Sequence, residues 1–419
     1  MDKFIITGGK RLSGRIEVEG SKNAALPIIA SSILFAKGEI LLENVPPLRD
    51  IYTIKKVLEF IGANVQYNPD EMTMSMDCSG INNNIAPYDL MRQMRASFLV
   101  LGPLLSRLGE ARVSLPGGCT LGARPVDYHI LGFRNLGAEI TEDGGYVVAR
   151  AKKLQGATIH FDRPSHTGTE NIMFGAIFAG GTTRIVNAAC DPEVVDVADF
   201  LNAGGAKIHG AGTSTIEIEG VESLEPVNFK VSGDRLVAGT YMFGAAITGG
   251  SIEVTGISPS NLTMVSRKLY EMGCEVKEED NSIRIKGPKK LKPVKVVTFP
   301  FPGFPTDLQP CIMALAAVAE GTSRIKETVF EDRFNHTMEL RRLGADVNVT
   351  LNEAVVNGVK RLKGASVMAS DIRAGAGLTL ACLAAEGTSE LLRVYHVDRG
   401  YNRLEERLSS LGADIKRVD

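Results

Sequence analysis

The chain reads as a mixed α/β fold assembled from six copies of one β-α-β-α-β-β unit. Two observations point to it. A glycine followed by a strand recurs along the whole length. Between successive glycines, strand-like alternation and helix-like spacing take turns in the same order. The glycines open GANV at Gly62, GAEI at Gly137, GAKI at Gly205, GCEV at Gly273, GADV at Gly344 and GADI at Gly412. Their successive spacings are 75, 68, 68, 71 and 68 residues, so six units fill the 419 residues.

The third unit shows each element in order. ATIHF alternates as a strand, and the polar turn DRPSHTGTE leads into an apolar helix, NIMFGAIFAG. GGT then opens a second strand, TRIVNA, and EVVDVADFLNAGG has apolar residues at helical spacing. AKIHG and STIEIEG close the unit as a hairpin. The glycine after each second helix suits a left-handed helix terminus.

The length suggests two or three domains. Apolar residues make up 44% and charged residues 23%, the balance of an ordinary globular chain. The formal net charge of −2 carries no overall bias toward nucleic acid or an anionic membrane, so any anion site must be a local cluster of cations. Six scattered cysteines form no C-x-x-C pair, which reads as free thiols in a reducing compartment. The polar, glycine-rich start MDKFIITGGKRLSG does not resemble a secretion signal. The longest apolar run, Cys311 to Ala319, falls far short of the roughly 20 residues that span a bilayer. A cytoplasmic protein is expected. Phosphate-loop, dinucleotide and zinc motifs do not occur, so neither a metal nor a cofactor is expected.

The turn before each first helix is polar or charged. It holds Lys22 and Asn23, Arg92 and Arg95, and Thr169 and Glu170; then Asp234 and Arg235, Thr306 and Asp307, and Asp371 and Arg373. Ordinary capping accounts for Asp234 and Thr306. It accounts poorly for the cations, because a helix start already carries positive partial charge. A bound anion shared by converging helix starts would offset that cost.

Three segments carry candidate chemistry. In LPGGCTLGARPVD, Cys119 lies in a glycine-rich loop five residues before Arg124. A nearby guanidinium would bring the thiol toward neutrality, where it can give and take protons; the plain alternative is a small buried residue. FPTD puts Asp307 at a helix start, as a base or simply a cap. YHVDRGY puts Arg399 in a loop, as an anion ligand or a surface arginine.

Together with SKNAALPI, APYDLMRQMRAS, TVFEDRF and ASDIRAGA, these segments resemble the enolpyruvyl transferase family from end to end. Within that family they resemble the branch acting on UDP-N-acetylglucosamine. The resemblance implies a two-domain inside-out α/β barrel with three repeats per domain. One domain would span 22–230 and carry the Cys119 loop; the other would join 1–21 to 231–419, with the active site in the cleft between them. It implies phosphoenolpyruvate and UDP-N-acetylglucosamine as small-molecule substrates.

By that resemblance Cys119 protonates the methylene carbon of phosphoenolpyruvate, and Asp307 accepts the proton of the sugar 3-hydroxyl. Lys22, Asn23, Arg124, Arg373 and Arg399 hold phosphoenolpyruvate. Arg95, the run Arg124, Pro125, Val126, Asp127 and Tyr128, the loop Arg163, Pro164, Ser165 and His166, and Asp307 and Val329 hold the UDP sugar. One stretch departs from the family's usual V-S-V-G-A-T, reading PSHTGT from Pro164. The residue types suit the chemistry: a small trianion calls for point charges from lysine and planar forks from arginine. Two other readings stay open at this point. One is the shikimate-pathway transferase, against which the cysteine loop argues. The other is a non-catalytic repeat protein that binds anionic sugars.

Overall fold

The structure, a computed structural model, describes residues 2–91, 94–115 and 126–419. Among these residues each repeat contributes one four-stranded sheet, six in all. In the third repeat the order is strand Thr158–His160, helix His166–Ala176, strand Thr182–Val186, helix Pro192–Ala203, and strands Lys207–His209 and Thr215–Glu219. The first two strands pair in parallel and the hairpin adds antiparallel. The register aligns Ile159 with Ile185, Ile185 with Ile216, and Ile208 with Ile218. All five are buried, so the period-2 pattern of each strand places one face of the sheet on the core.

The two helices of a repeat differ in kind. The first helices, such as Arg235–Thr248 and Ile372–Ala384, are buried along nearly their whole circumference. The second helices are amphipathic; Arg49–Ile61 buries Ile51, Ile54, Val57, Leu58 and Ile61 at helical spacing. The six glycines of the repeat, from Gly62 to Gly412, all adopt positive φ, between 89° and 110°. A side chain there would be strained, which is why the small residue recurs.

Chain contacts divide the molecule into two units. One contains residues 2–19 and 233–419, the other 20–115 and 126–232. Each has its own apolar core. In the first, helices Arg235–Thr248, Gln309–Ala316 and Ile372–Ala384 pack on one another, with the sheets of their repeats around them. Strand Lys3–Thr7 completes the sixth sheet by pairing with Thr388–Leu392 and Asp414–Val418. Strand Ser13–Glu17 completes the fourth beside Ser251–Thr255. In the other unit the closing strand is Asn228–Lys230, parallel to Glu39–Glu43. Strands far apart in sequence thus close each unit on itself.

One expected boundary shifts. The third repeat's first helix starts at His166, not after Glu170, because the Ser165 side chain accepts from the Gly168 N–H and caps it there. Thr169 and Glu170, expected in the turn, lie inside the helix and are buried. Among the described residues no helix is long and apolar enough to cross a membrane.

Candidate active site

In the unit containing residues 233–419, candidate residues from the fifth and sixth repeats gather around the starts of the buried helices. Asp307 sits in the 3₁₀ turn Thr306–Leu308 that leads into helix Gln309–Ala316. It does not take the cap position expected of a simple N-cap, which falls on Pro305 and Leu308. Its oxygens accept instead from two arginines. Arg333 Nη2 donates to Oδ1 at 2.6 Å, and Arg373 Nε donates to Oδ2 at 3.3 Å. The Arg333 and Arg373 side chains are only 2% and 4% exposed, while that of Asp307 is 28% exposed. Charge-assisted bonds from two sides fix the carboxylate's orientation and leave it reachable from solvent.

Each arginine is itself anchored. Arg333 Nε also donates to the Thr306 carbonyl, and its guanidinium lies 5.6 Å from the Phe330 ring. The loop that presents it is shaped by buried Glu327, whose carboxylate accepts from Thr298 and Thr306 hydroxyls and from the Val329 and Phe330 N–H groups. Val329, expected at the UDP sugar, stands at the exposed surface of this loop. Arg373 lies in the first turn of Ile372–Ala384, which the Asp371 side chain caps through the N–H groups of Arg373 and Ala374. The Arg373 guanidinium lies 5.3 Å from the Tyr401 ring, and among the described residues its buried Nη1 meets no acceptor within hydrogen-bonding geometry. An orphaned, buried guanidinium nitrogen is costly and calls for an acceptor.

Arg399 ends the 3₁₀ turn Val394–Arg399, and the residues around it press on the same helix start. A Cβ on Gly375 would fall 2.5 Å from Val397 Cγ2, and one on Gly400 would fall 2.5 Å from Ile372 Cγ2 and 3.7 Å from Arg373 Nη1. Only glycine permits both approaches, which bring the Arg399 turn beside Arg373. Tyr401 locks the turn from below: its hydroxyl pairs with the Thr240 hydroxyl at 2.9 Å inside the core.

In the other unit Lys22 is the first residue of helix Lys22–Ser31, capped by Ser21. Its side chain is buried and its ammonium meets Asp50 at 3.4 Å, so the disfavoured charge at a helix start has a carboxylate within its own unit. Asn23 follows, half-buried. Arg95 opens the 3₁₀ turn Arg95–Val100. Asp127 opens helix Asp127–Asn135, with Val126 before it and Tyr128 in the first turn. That helix start and the Arg163–His166 loop are held together. The Tyr128 ring packs on Phe161 at 5.1 Å, and buried His129 bonds to Asn171 at 2.9 Å and Thr167 at 3.3 Å. Arg163 and Pro164 are exposed; Ser165 and His166 are half-buried.

His166 is turned toward carboxylates. Its Nε2 lies 3.0 Å from Glu170 and its Nδ1 lies 3.8 Å from Asp191. Burial works against a charged ring, but Glu170, then Asp191 and Glu193, outweigh it and push the imidazole up to about 10. His166, Asp191 and Glu193 have metal-like spacing, within 4.8 Å of one another.

Cys119, Arg124 and Pro125 lie outside the described residues. The other five cysteines are free, and burial is the first cause raising each of their thiols; Cys78 reaches about 11, and Cys274, Cys311 and Cys382 about 12. None of these five is poised as an acid near pH 7. Two residues of this arrangement, Arg333 in TVFEDRF and Tyr401 in YHVDRGY, have no role assigned by their sequence context. Arg333 could have been suspected as a cation beside two acids in a repeat-specific loop. Nothing local marks Tyr401, Thr240 or Asp50.

Six repeats close into two units, and in one of them Arg333 and Arg373 converge on Asp307 at the start of a buried helix. The family described as EPSP synthase (3-phosphoshikimate 1-carboxyvinyltransferase) matches residues 6–408, and the chain belongs to that family of enolpyruvyl transferases. Proteins named UDP-N-acetylglucosamine 1-carboxyvinyltransferase from Desulfosudis oleivorans and Trichlorobacter lovleyi are each 52% identical to it. The matches cover all of this chain and 100% and 99% of theirs. Among solved structures, the enolpyruvyl transferase NikO from Streptomyces tendae superposes with a TM-score of 0.89 at 27% identity, covering 100% of this chain and 99% of its own. An EPSP synthase from Acinetobacter baumannii shares the fold, with a TM-score of 0.79 at 20% identity and full coverage of both chains.

Proposed function

We infer that this protein transfers the enolpyruvyl group of phosphoenolpyruvate to the 3-hydroxyl of UDP-N-acetylglucosamine, releasing phosphate. The observation that carries the reading is full-length identity of 52% to relatives bearing that activity's name. The arginine-bound Asp307 supports it from the geometry. The reaction is the first committed step of peptidoglycan synthesis, which links the protein to cell-wall growth, cell shape and division. Five unpaired cysteines fit a cytoplasmic setting.

The mechanism we propose is an addition followed by an elimination. Asp307 takes the proton of the sugar hydroxyl as its oxygen bonds to the second carbon of phosphoenolpyruvate. Cys119 delivers a proton to the methylene carbon, giving a tetrahedral intermediate. The bond from the second carbon to the phosphate oxygen then breaks as the methyl carbon returns a proton, leaving the enol ether and inorganic phosphate. Arg373, whose buried Nη1 meets no acceptor among the described residues, suits the substrate carboxylate. Lys22, Asn23, Arg124 and Arg399 take the phosphate. Arg95, the run from Arg124 to Tyr128, the Arg163–His166 loop and Val329 take the UDP sugar. A positioned acid or base contributes about 100- to 10,000-fold.

Phosphate release from phosphoenolpyruvate, measured with UDP-N-acetylglucosamine and separately with shikimate 3-phosphate, tests the assignment. Release with the UDP sugar alone is expected. Release with the shikimate acceptor alone would move the protein to the sibling activity, and release with neither would overturn a catalytic reading.

A further inference from the structure

Glu327 is a buried carboxylate that no step of the reaction uses. It follows strand Thr322–Lys326 and opens the loop that carries Arg333. The four donors that meet it are all neutral. Its Oε1 accepts from the Thr298 hydroxyl at 2.8 Å, the Val329 N–H at 2.8 Å and the Phe330 N–H at 3.1 Å. Its Oε2 accepts from the Thr306 hydroxyl at 2.9 Å. The two oxygens therefore do different things. One closes the loop that Glu327 itself begins; the other reaches back 21 positions to the residue before Asp307.

Thr306 is gripped twice by that loop. Its hydroxyl donates to Glu327, and its carbonyl accepts from Arg333 Nε at 3.3 Å. The far end of the loop is fixed in turn, because His336 Nδ1 donates to the Arg333 carbonyl at 3.1 Å. Glu327 cannot turn without uncoupling several buried donors at once, which makes it a rigid anchor. The bonds on Asp307 are of another kind. Arg333 Nη2 and Arg373 Nε engage the carboxylate oxygens themselves, the atoms that must receive a proton. The Thr306–Glu327 bond holds the same turn without touching those atoms.

We propose that Glu327 is a positioning residue for the base: through the Thr306 hydroxyl it fixes the turn that carries Asp307. This rests on the reading of Asp307 as the base. Phosphate release at saturating substrates, beside thermal unfolding, on Thr306→Val, Thr306→Ser, Thr298→Val and Asp307→Asn tests it. Thr306→Val keeps the branched shape and removes the hydroxyl. Its kcat should fall roughly tenfold, the scale of a displaced catalytic group, with KM for phosphoenolpyruvate unchanged. Thr306→Ser restores the hydroxyl and should recover most of that loss. Thr298→Val is the matched control. It removes a donor to the same carboxylate and the acceptor of the Thr328 N–H at 3.0 Å. It leaves Oε2 on Thr306 and two N–H donors on Oε1. Its Tm should drop about as far as that of Thr306→Val, with kcat unchanged.

A merely structural Glu327 would make kcat follow Tm in both threonine variants alike. An unchanged kcat in Thr306→Val while Asp307→Asn is impaired, or an equal loss of kcat in Thr298→Val, overturns the proposal alone. An unimpaired Asp307→Asn overturns the assignment of the base on which it rests. If Thr306→Val does not fold, Thr306→Ala set against Thr306→Ser gives the same comparison.

Discussion

Replacing Asp307 by Asn separates a catalytic base from a structural anchor. The substitution keeps size and one acceptor oxygen but removes the charge that meets Arg333 at 2.6 Å and Arg373 at 3.3 Å. Breaking a fully buried ion pair typically costs about 3–5 kcal/mol. Here the carboxylate is 28% exposed and the amide still accepts one bond, so a loss of about 1–2 kcal/mol of stability is expected. That corresponds to a drop in Tm of roughly 2–8 °C for a unit of this size. Against a typical total stability of about 5–15 kcal/mol, the variant remains folded. The chemistry should suffer far more. Loss of a positioned base corresponds to about 100- to 10,000-fold in kcat, or about 3–5 kcal/mol. The assay is phosphate release at saturating concentrations of both substrates, beside thermal unfolding of the same preparation. A kcat within about threefold of the parent, with only Tm lowered, would refute the base and leave Asp307 as an anchor for two arginines.

Other residues give sharp expectations. Cys119→Ala should abolish turnover while Cys119→Asp retains part of it, since a carboxylic acid also delivers a proton; equal activity in the alanine variant would remove the acid role. The epoxide fosfomycin should label the parent but not Cys119→Ala, read by intact mass, whereas labelling at another cysteine would contradict the raised thiols elsewhere. Lys22→Ala should weaken phosphoenolpyruvate binding by about 2–5 kcal/mol, and unaltered affinity by calorimetry would exclude it from the site. His166→Gln should lower stability at pH 6 and less so as pH rises. The folded ring titrates near 10 and the unfolded ring near its ordinary 6.5, so its contribution is complete below about 6.5 and lost through about 10. A gap between the two unfolding midpoints that stays constant from pH 6 to 10 would show that the ring is not held protonated.

Much of this molecule is local. Repeat number, element order and the six glycine termini follow from patterns a few residues long, because hydrophobic periodicity and positive φ are properties of short segments. The departures came where a side chain decided a boundary: Ser165 started a helix four residues before the polar turn seemed to end. The candidate residues were legible as motifs too, since Asp307, Arg373 and Arg399 stand in unusual local company. Local pattern thus sets the repeat architecture and the chemical types at the helix starts. Which of them meet was decided only by tertiary structure. Arg333 reaches Asp307 across 26 positions, and Arg373 reaches it across 66. Arg417 meets Asp398 across 19 positions, from strand Asp414–Val418, which pairs with Lys3–Thr7. Charge pairing acts through space over a few ångströms, and sequence separation carries no information about that distance until the sheets close and the buried helices pack.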